Sequence, residues 1–411
     1  MNVKLMPEHI WSAIDIGTTK ICVLIAHARD DADCEIIGIG KSPSYGLDRG
    51  VVVDANQASK AIKVAVNEAE LMAGIEIESV YIGVSGGHIV AMNSHGMIPI
   101  KHGIVRDYDV ANAIEASKSV PLSEDQQILH VLPQRYRIDG HAVRDPVGMH
   151  GMRLEVDVHI IIGRVSSVHN IVNCCQSSKV HVRDIILEPL ASAEAVLSSD
   201  ERELGVGMLD IGGGTADLAL YQERNIRHTK IFPVAGNLFT RDLALCLRTS
   251  IDEAARIKHA HGSVMKKPDA QNHAIDMSLV HGEECKSVTV NELAFILEAR
   301  AEELLDHVVA EFDAHDLYHL APAGFVLTGG GSLLAGIDEL TQKKLGLPSR
   351  IGRPRLPATF QKSLHTPVYA TSYGLLLYAM KQEKQHALNT LSGPLVSRVF
   401  WRMKSWIADF F

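Results

Sequence analysis

Three stretches of this 411-residue chain set glycine beside hydroxyl and carboxylate side chains in an order that chemistry can use. They are Asp15-Ile16-Gly17-Thr18-Thr19-Lys20, then Asp210-Ile211-Gly212-Gly213-Gly214-Thr215-Ala216-Asp217, and finally Leu327-Thr328-Gly329-Gly330-Gly331-Ser332. The first alone reads equally well as a plain hairpin turn. The second does not, because three consecutive glycines cost backbone entropy and add no packing. Amides bare of Cβ can close on an anion, which is how glycine-rich loops take phosphates. Two such turns gripping from opposite sides suit a polyphosphate. Asp15 and Asp210 stand just before the turns and would repel it, so a divalent cation is expected between, Mg²⁺ held largely through water. The third turn lies at a strand-to-helix junction, where a helix N-terminus favours an anion.

The elements that must position these turns follow from periodicity. Residues 10–25 read as strand, turn, strand, with a third strand over 35–42. Ala61, Ile62, Ala65, Val66, Ala69 and Met72 give 57–72 the spacing of a helix with one buried face, and a strand covers 80–84. Short strands at 89–91, 97–100 and 128–138 surround a helix near 110–119, the texture of a small α+β insertion. Strands at 156–162 and 185–187 and helices at 167–175 and 191–197 follow. From Val206 to Tyr221 the opening pattern returns, which indicates a duplicated domain rather than a solenoid. Helices are expected over 237–247, 252–259, 291–312, from about 334, and over 370–381, with 261–288 polar and irregular.

Composition removes several classes. Hydrophobic residues are 46% and charged residues 22%, an ordinary globular balance. A net charge of −9 gives no broad basic surface, so no nucleic acid is expected as partner. The six cysteines show no CxxC and read as reduced thiols. Neither a signal peptide nor a bilayer-spanning segment is recognisable.

The paired Asp-x-Gly-x-Thr hairpins with the late Thr-Gly-Gly-Gly-Ser resemble the ATPase superfamily that includes actin, the heat-shock chaperones and sugar kinases. Within it, the insertion after Gly83-Val84-Ser85-Gly86 is similar to that of the FtsA family of bacterial cell-division proteins. So are Gly46-Leu47-Asp48-Arg49-Gly50, His130-Val131-Leu132-Pro133-Gln134, Pro146-Val147-Gly148 and Ala235-Gly236-Asn237. The likeness covers nearly the whole chain. It implies an α/β fold of duplicated, actin-like, ribonuclease-H-type domains with an inserted α+β subdomain and a C-terminal amphipathic helix. The lobes expected are 1–84 with 160–197, and 198–233 with 305–381; the insertion is 85–159 and a further subdomain is 234–304.

The resemblance also implies ATP and Mg²⁺ as cofactors. The nucleotide would be held by Gly17, Thr18, Thr19, Lys20, Gly212, Gly213, Gly214, Thr215, Gly236 and Asn237, by Lys258 at the ribose, and by Gly329, Gly330, Gly331 and Ser332. Asp15 and Asp210 would hold the metal through water, and Glu188 matches the carboxylate that positions the attacking water, for an ATPase that is at most slow. Expected partners are the C-terminal tail of the tubulin-like protein FtsZ, near Lys286 and Arg300, further copies of the chain in a filament, and later division proteins. A small-molecule kinase of the same superfamily or a pilus-assembly actin-like protein are the alternatives.

The chain is aromatic-poor, with 9 Phe, 9 Tyr and 3 Trp, yet Phe400, Trp401, Trp406, Phe410 and Phe411 crowd its last stretch. Set on a helix, Leu395, Val396, Val399, Phe400, Met403, Trp406, Ile407, Phe410 and Phe411 fall within an arc of about 160°, and only Trp401 faces the polar side. A last core helix would show the same stripe. Residues 382–394 read as a flexible linker before it, and Arg398, Arg402 and Lys404 flank the aromatics, which suits insertion at an anionic lipid surface. Seventeen residues reach only about 25 Å, too short to span. The relatives end in such a membrane-targeting helix, which places this protein peripherally on the cytoplasmic face of the cell membrane, at the division septum.

Overall fold

Two five-stranded sheets with the same strand order organise the residues that the computed structural model describes, 10–30, 33–266, 274–279, 285–356 and 364–392. The first begins as an antiparallel meander, β1 (Ile10–Ile16), β2 (Lys20–Asp30) and β3 (Asp33–Pro43). A short ladder, β4 (Leu47–Asp48) with β5 (Val51–Val52), leads into α1 (Ala55–Ala73). The Asp54 carboxylate caps α1 by accepting from the Gln57 N–H, and Gly74 ends it in the left-handed region. β6 (Ser79–Val84) then runs parallel to β1.

The insertion follows: β7 (Val90–Pro99), α2 (Asp107–Ser117), β8 (Gln126–Ile138), β9 (His141–Val143) and β10 (Arg153–Arg164). Its strands form a separate antiparallel sheet in the order β7-β10-β8-β9, closed over its own core of Val105, Ala113, Leu154, Val156, Val158 and Ile160. One continuous β7 stands where the sequence predicts two short strands. α3 (Val165–Ser177) returns the chain to β11 (His181–Leu187), the edge strand beside β6, and α4 (Glu188–Val196) and α5 (Ser199–Leu204) lead out.

β12 (Val206–Ile211), β13 (Ala216–Gln222) and β14 (Asn225–Phe232) repeat the opening meander. After them come α6 (Gly236–Leu247), α7 (Ile251–His261), the hairpin of β15 (Ala274–Ser278) and β16 (Cys285–Thr289), and α8 (Val290–His315). β17 (Phe325–Thr328), α9 (Ile337–Leu345), β18 (Ser349–Ile351) and α10 (Ala370–Ser392) complete the described chain. The sheets read β3-β2-β1-β6-β11 and β14-β13-β12-β17-β18, the same three-strand meander followed by two parallel strands.

Three expectations are corrected. The polar stretch 261–288 holds the β15–β16 hairpin, whose inward Ile275, Met277 and Val288 are buried. The stretch 382–392, read as linker, is helical: α10 runs to Ser392, because no glycine or proline stands between Leu375 and Ser392 to end it before Gly393. And α10, assigned by sequence to the second lobe, buries Tyr373, Leu375, Leu376 and Ala379 in the core of the first, against β1, β2 and β6. α4, which belongs to the first lobe in sequence, packs in turn on β12 and β13. Val399, Phe400, Met403, Trp406, Ile407, Phe410 and Phe411, expected from the sequence to face the membrane, lie outside the described residues.

The two exchanged helices cross at Gly374, where an added Cβ would stand 1.8 Å from the carbonyl oxygen of Ala191. Neither backbone can yield without moving its sheet. Gly374→Leu should therefore lower stability by about 1–3 kcal/mol in urea unfolding of the full chain. An unchanged midpoint would mean that the crossing is not close-packed.

Candidate functional site

The two hairpin turns close with the same bond at the same position. Gly17 N donates to the Lys20 carbonyl at 3.0 Å, and Gly212 N to the Thr215 carbonyl at 2.9 Å. Each turn stands at the end of its sheet with an aspartate, Asp15 or Asp210, on the strand before it. Across the ladder, Asp15 faces Cys22 and Asp210 faces Asp217. Asp217 is thus a second carboxylate in one repeat only, set among Ala216, Leu218, Ala219 and Leu220, which are apolar and buried. The sequence reading missed it as a site residue, although a charge inside Ala216-Asp217-Leu218-Ala219-Leu220 is a signal in itself.

The turns press against each other. A Cβ on Gly213 would meet the Thr19 hydroxyl at 1.8 Å, and one on Gly214 would meet the Thr18 hydroxyl at 2.4 Å. Thr18 Oγ1 accepts from Gly50 N at 3.2 Å, and Thr19 Oγ1 donates to Asn237 Oδ1 at 3.3 Å. Gly236 and Asn237, at the start of α6, give their amides to the Gly212 and Gly213 carbonyls at 3.0 and 2.8 Å. Beneath them Lys258 Nζ donates to the Gly236 carbonyl at 2.8 Å and to Thr240 Oγ1 at 2.6 Å, and burial lowers its ammonium to about 8. The third turn joins the second: a Cβ on Gly329 would lie 2.2 Å from Asp210 Oδ1. Gly330–Leu333 form a single 3-10 turn in which Ser332 Oγ donates to the Gly329 carbonyl, and α9 begins only at Ile337, later than expected.

Four carboxylates share the floor. Asp15 accepts from Ser372 Oγ at 2.7 Å and has Lys20 Nζ at 3.8 Å. Lys20 itself turns toward the Val368 carbonyl, 2.8 Å away, and lies over the Tyr369 ring. Asp210 accepts from Ser192 Oγ and, at 3.1 Å, from Thr371 Oγ1. Burial raises the Asp210 carboxyl, against those two hydrogen bonds. Burial also raises Asp217 to about 7, with Asp210 adding to it, and its Oδ1 is buried with no hydrogen-bond partner. Glu188, the first residue of α4, is raised well above the usual range by burial and then by Asp15, Asp217 and Asp210.

Glu188, Asp210 and Asp217, pushed toward protonation by burial and then by neighbouring carboxylates, with an orphaned oxygen on Asp217, are what a cation would relieve. Among the described residues, no three His, Cys, Asp or Glu side chains are placed to ligate one directly. The donor set therefore fits a hydrated Mg²⁺ rather than a stripped one.

Lys286 and Arg300 stand apart, on β16 and α8. Arg300 is already spent: it donates to both Asp242 oxygens, at 2.6 and 3.0 Å, and to Glu303 on its own helix. Beside it an open groove between α6 and α8 is lined by Leu245, Cys246, Phe295, Ile296 and Ala299, with Leu245 67% and Phe295 64% exposed.

The family model for "Cell division protein FtsA" matches residues 207–374, and that for "SHS2 domain inserted in FTSA" matches residues 86–162. The chain is 38% identical over 401 residues to the cell division protein FtsA of Pseudomonas aeruginosa, covering 96% of each. It is 35% identical over 413 residues to the FtsA of Escherichia coli K12, covering 98% of this chain and 97% of the relative. Among solved structures it is similar to a PilM-PilN type IV pilus biogenesis complex, with TM-score 0.66 and 16% identity over 90% of this chain and 98% of that one. It is also similar to MreB 5 of Spiroplasma citri bound to AMPPNP, with TM-score 0.59 and 15% identity over 94% and 100%. The fold is the mixed α/β, actin-like one, with an inserted SHS2 subdomain.

The carboxylate floor sets a pH dependence. Asp217 holds its proton to about 7 when folded but only to 3.8 when ordinary, so the stability it contributes is full below the lower value and lost as pH rises through the upper one. His130 and His159, depressed by burial to about 4 and about 3, act oppositely, but only below their ordinary 6.5. Between pH 6.5 and about 8, without nucleotide or metal, Tm should therefore fall in the wild type and fall less in Asp217→Asn, as read by differential scanning calorimetry. Parallel curves for the two would contradict the shift.

Proposed function

This chain belongs to the FtsA family of cell-division proteins, and from that premise we propose that it binds ATP with Mg²⁺ between its two hairpins and ties a division-ring polymer to the membrane. The observation that carries the nucleotide reading is the pair of identically closed turns, with Gly213 and Gly214 bare of side chains where they face Thr19 and Thr18. With Gly17 N and Gly212 N bonded inside their turns, the amides of Thr18, Thr19, Gly213 and Gly214 take the phosphates, and the α6 start with Gly236 and Asn237 borders the nucleoside. Lys258, already hydrogen-bonded to Gly236 and Thr240, holds the α6 backbone against the ribose side.

Asp15 and Asp210 would hold the metal through water, and its charge would offset that of the phosphates. Glu188 orients water for hydrolysis. Burial, and then Asp15, Asp217 and Asp210, raise the Glu188 carboxyl well above the usual range, so its base form depends on the metal's charge, a demand that suits slow hydrolysis. Binding that shapes the molecule, rather than rapid turnover, is the use this site serves.

The groove between α6 and α8 supports the second half of the reading. Its exposed Phe295 and Leu245 suit the apolar side chains of a short FtsZ tail peptide. Arg300, paired to Asp242 and Glu303, shapes the wall and does not supply free positive charge. Attraction of the acidic tail rests on other cations, such as Lys266, which lies over the Phe295 ring. Residues 395–411 insert into an anionic lipid surface, and copies joined in a filament add their weak anchors into firm attachment. Later division proteins meet the inserted subdomain.

Gly213→Asp should abolish ATP binding in calorimetric titration, since it brings both bulk and charge against Thr19. Vesicles of anionic lipid should pellet the full chain with ATP and Mg²⁺ but not a chain ending at Ser392, which keeps α10 whole. Equal pelleting sinks the tether. Phe295→Asp should weaken capture of an FtsZ tail peptide at least about tenfold, as a buried aromatic anchor does, while leaving ATP affinity unchanged.

A further inference from the structure

The stretch His130-Val131-Leu132-Pro133-Gln134 has no part in the nucleotide reading, yet it touches both lobes. It lies on β8, whose ladder with β10 breaks twice. Ile161 pairs with His130 and Ile162 with Ile128, leaving Leu129 over; Val158 pairs with Pro133 and Asp157 with Arg135, leaving Gln134 over. Such bulges re-aim side chains out of the regular alternation.

Gln134 reaches the second lobe. Its Nε2 donates to the Ile226 and Arg227 carbonyls of β14, at 2.9 and 3.0 Å, and Asn225 Nδ2 donates back to its carbonyl at 3.1 Å. β14 is the edge strand of its sheet. On the neighbouring β10, His159 is buried between Asn93 Oδ1, 2.7 Å from Nδ1, and Thr229 Oγ1 of β14, 2.8 Å from Nε2. His130, four residues before Gln134, reaches the first lobe: its buried Nε2 accepts the N–H of Leu187 at 3.1 Å. Leu187 ends edge strand β11 and directly precedes Glu188.

We propose that β8 is a strut across the two lobes, in which His130 is a positioning residue for Glu188 while Gln134 and His159 grip β14. The inference rests on the nucleotide reading above. The insertion is covalently part of the first lobe, so a change in lobe spacing must strain or break its bonds to β14. Nucleotide in the cleft and a partner on the insertion then alter each other's affinity by the same factor.

Hydrogen exchange of the full chain, with and without AMPPNP and Mg²⁺, tests this. The expected result is slower exchange in residues 17–20 and 212–215 together with 128–135 and 225–229. Slowing at the hairpins alone overturns the strut; no slowing at the hairpins removes the nucleotide reading and the strut with it. His130→Leu should weaken AMPPNP binding roughly fivefold or more, and His130→Gln, which keeps an acceptor at the same reach, should restore it. Equal affinity in all three overturns the role of His130. Should His130→Leu fail to fold, wild-type exchange and His130→Gln decide.

Discussion

Gly374 and the carbonyl of Ala191 meet where α10 crosses α4, and the spacing of the two lobes depends on that contact. α10 packs on the first sheet rather than on that of its own sequence, and α4 reaches across to β12 and β13 while still touching β11 and β6. Each also carries hydroxyls to a carboxylate there: Ser372 on α10 to Asp15, and Ser192 on α4 to Asp210, which Thr371 joins. The crossing therefore fixes the backbone and the acidic floor in one stroke. A side chain at this point would separate the sheets and the aspartates together.

The hairpins were legible in the sequence because their signal is local. Asp-x-Gly-x-Thr needs no distant residue to be recognised, and its recurrence at Asp210 announces the duplication. The destination of α10 was not legible. Periodicity says that a helix buries one face, and Leu375, Leu376 and Ala379 say so clearly, but nothing in them names the sheet that receives it. The β15–β16 hairpin stayed hidden because few of its side chains face inward. The bulges at Leu129 and Gln134 escaped for another reason: a one-residue change of register is a property of two strands together, and the pattern of β8 by itself does not show it.

Charge tells a similar story in the groove between α6 and α8. Lys286 and Arg300 are basic in the sequence and look available to an acidic peptide. Folding spends Arg300 on Asp242, a residue on another helix, and leaves an apolar groove as the more distinctive surface. Pairing partners distant in sequence decide whether a cation is a ligand or a brace.

A duplicated cleft has a pseudo-twofold axis, and a ligand entering it could in principle bind either way round. The ladder partner of the repeated hairpin aspartate breaks that degeneracy: it is Cys22, an uncharged thiol, in one half and Asp217 in the other. A cationic ligand therefore meets a second carboxyl on one side of the cleft only. With Glu188 and the inserted subdomain also confined to one half, the two faces of the cleft are not interchangeable.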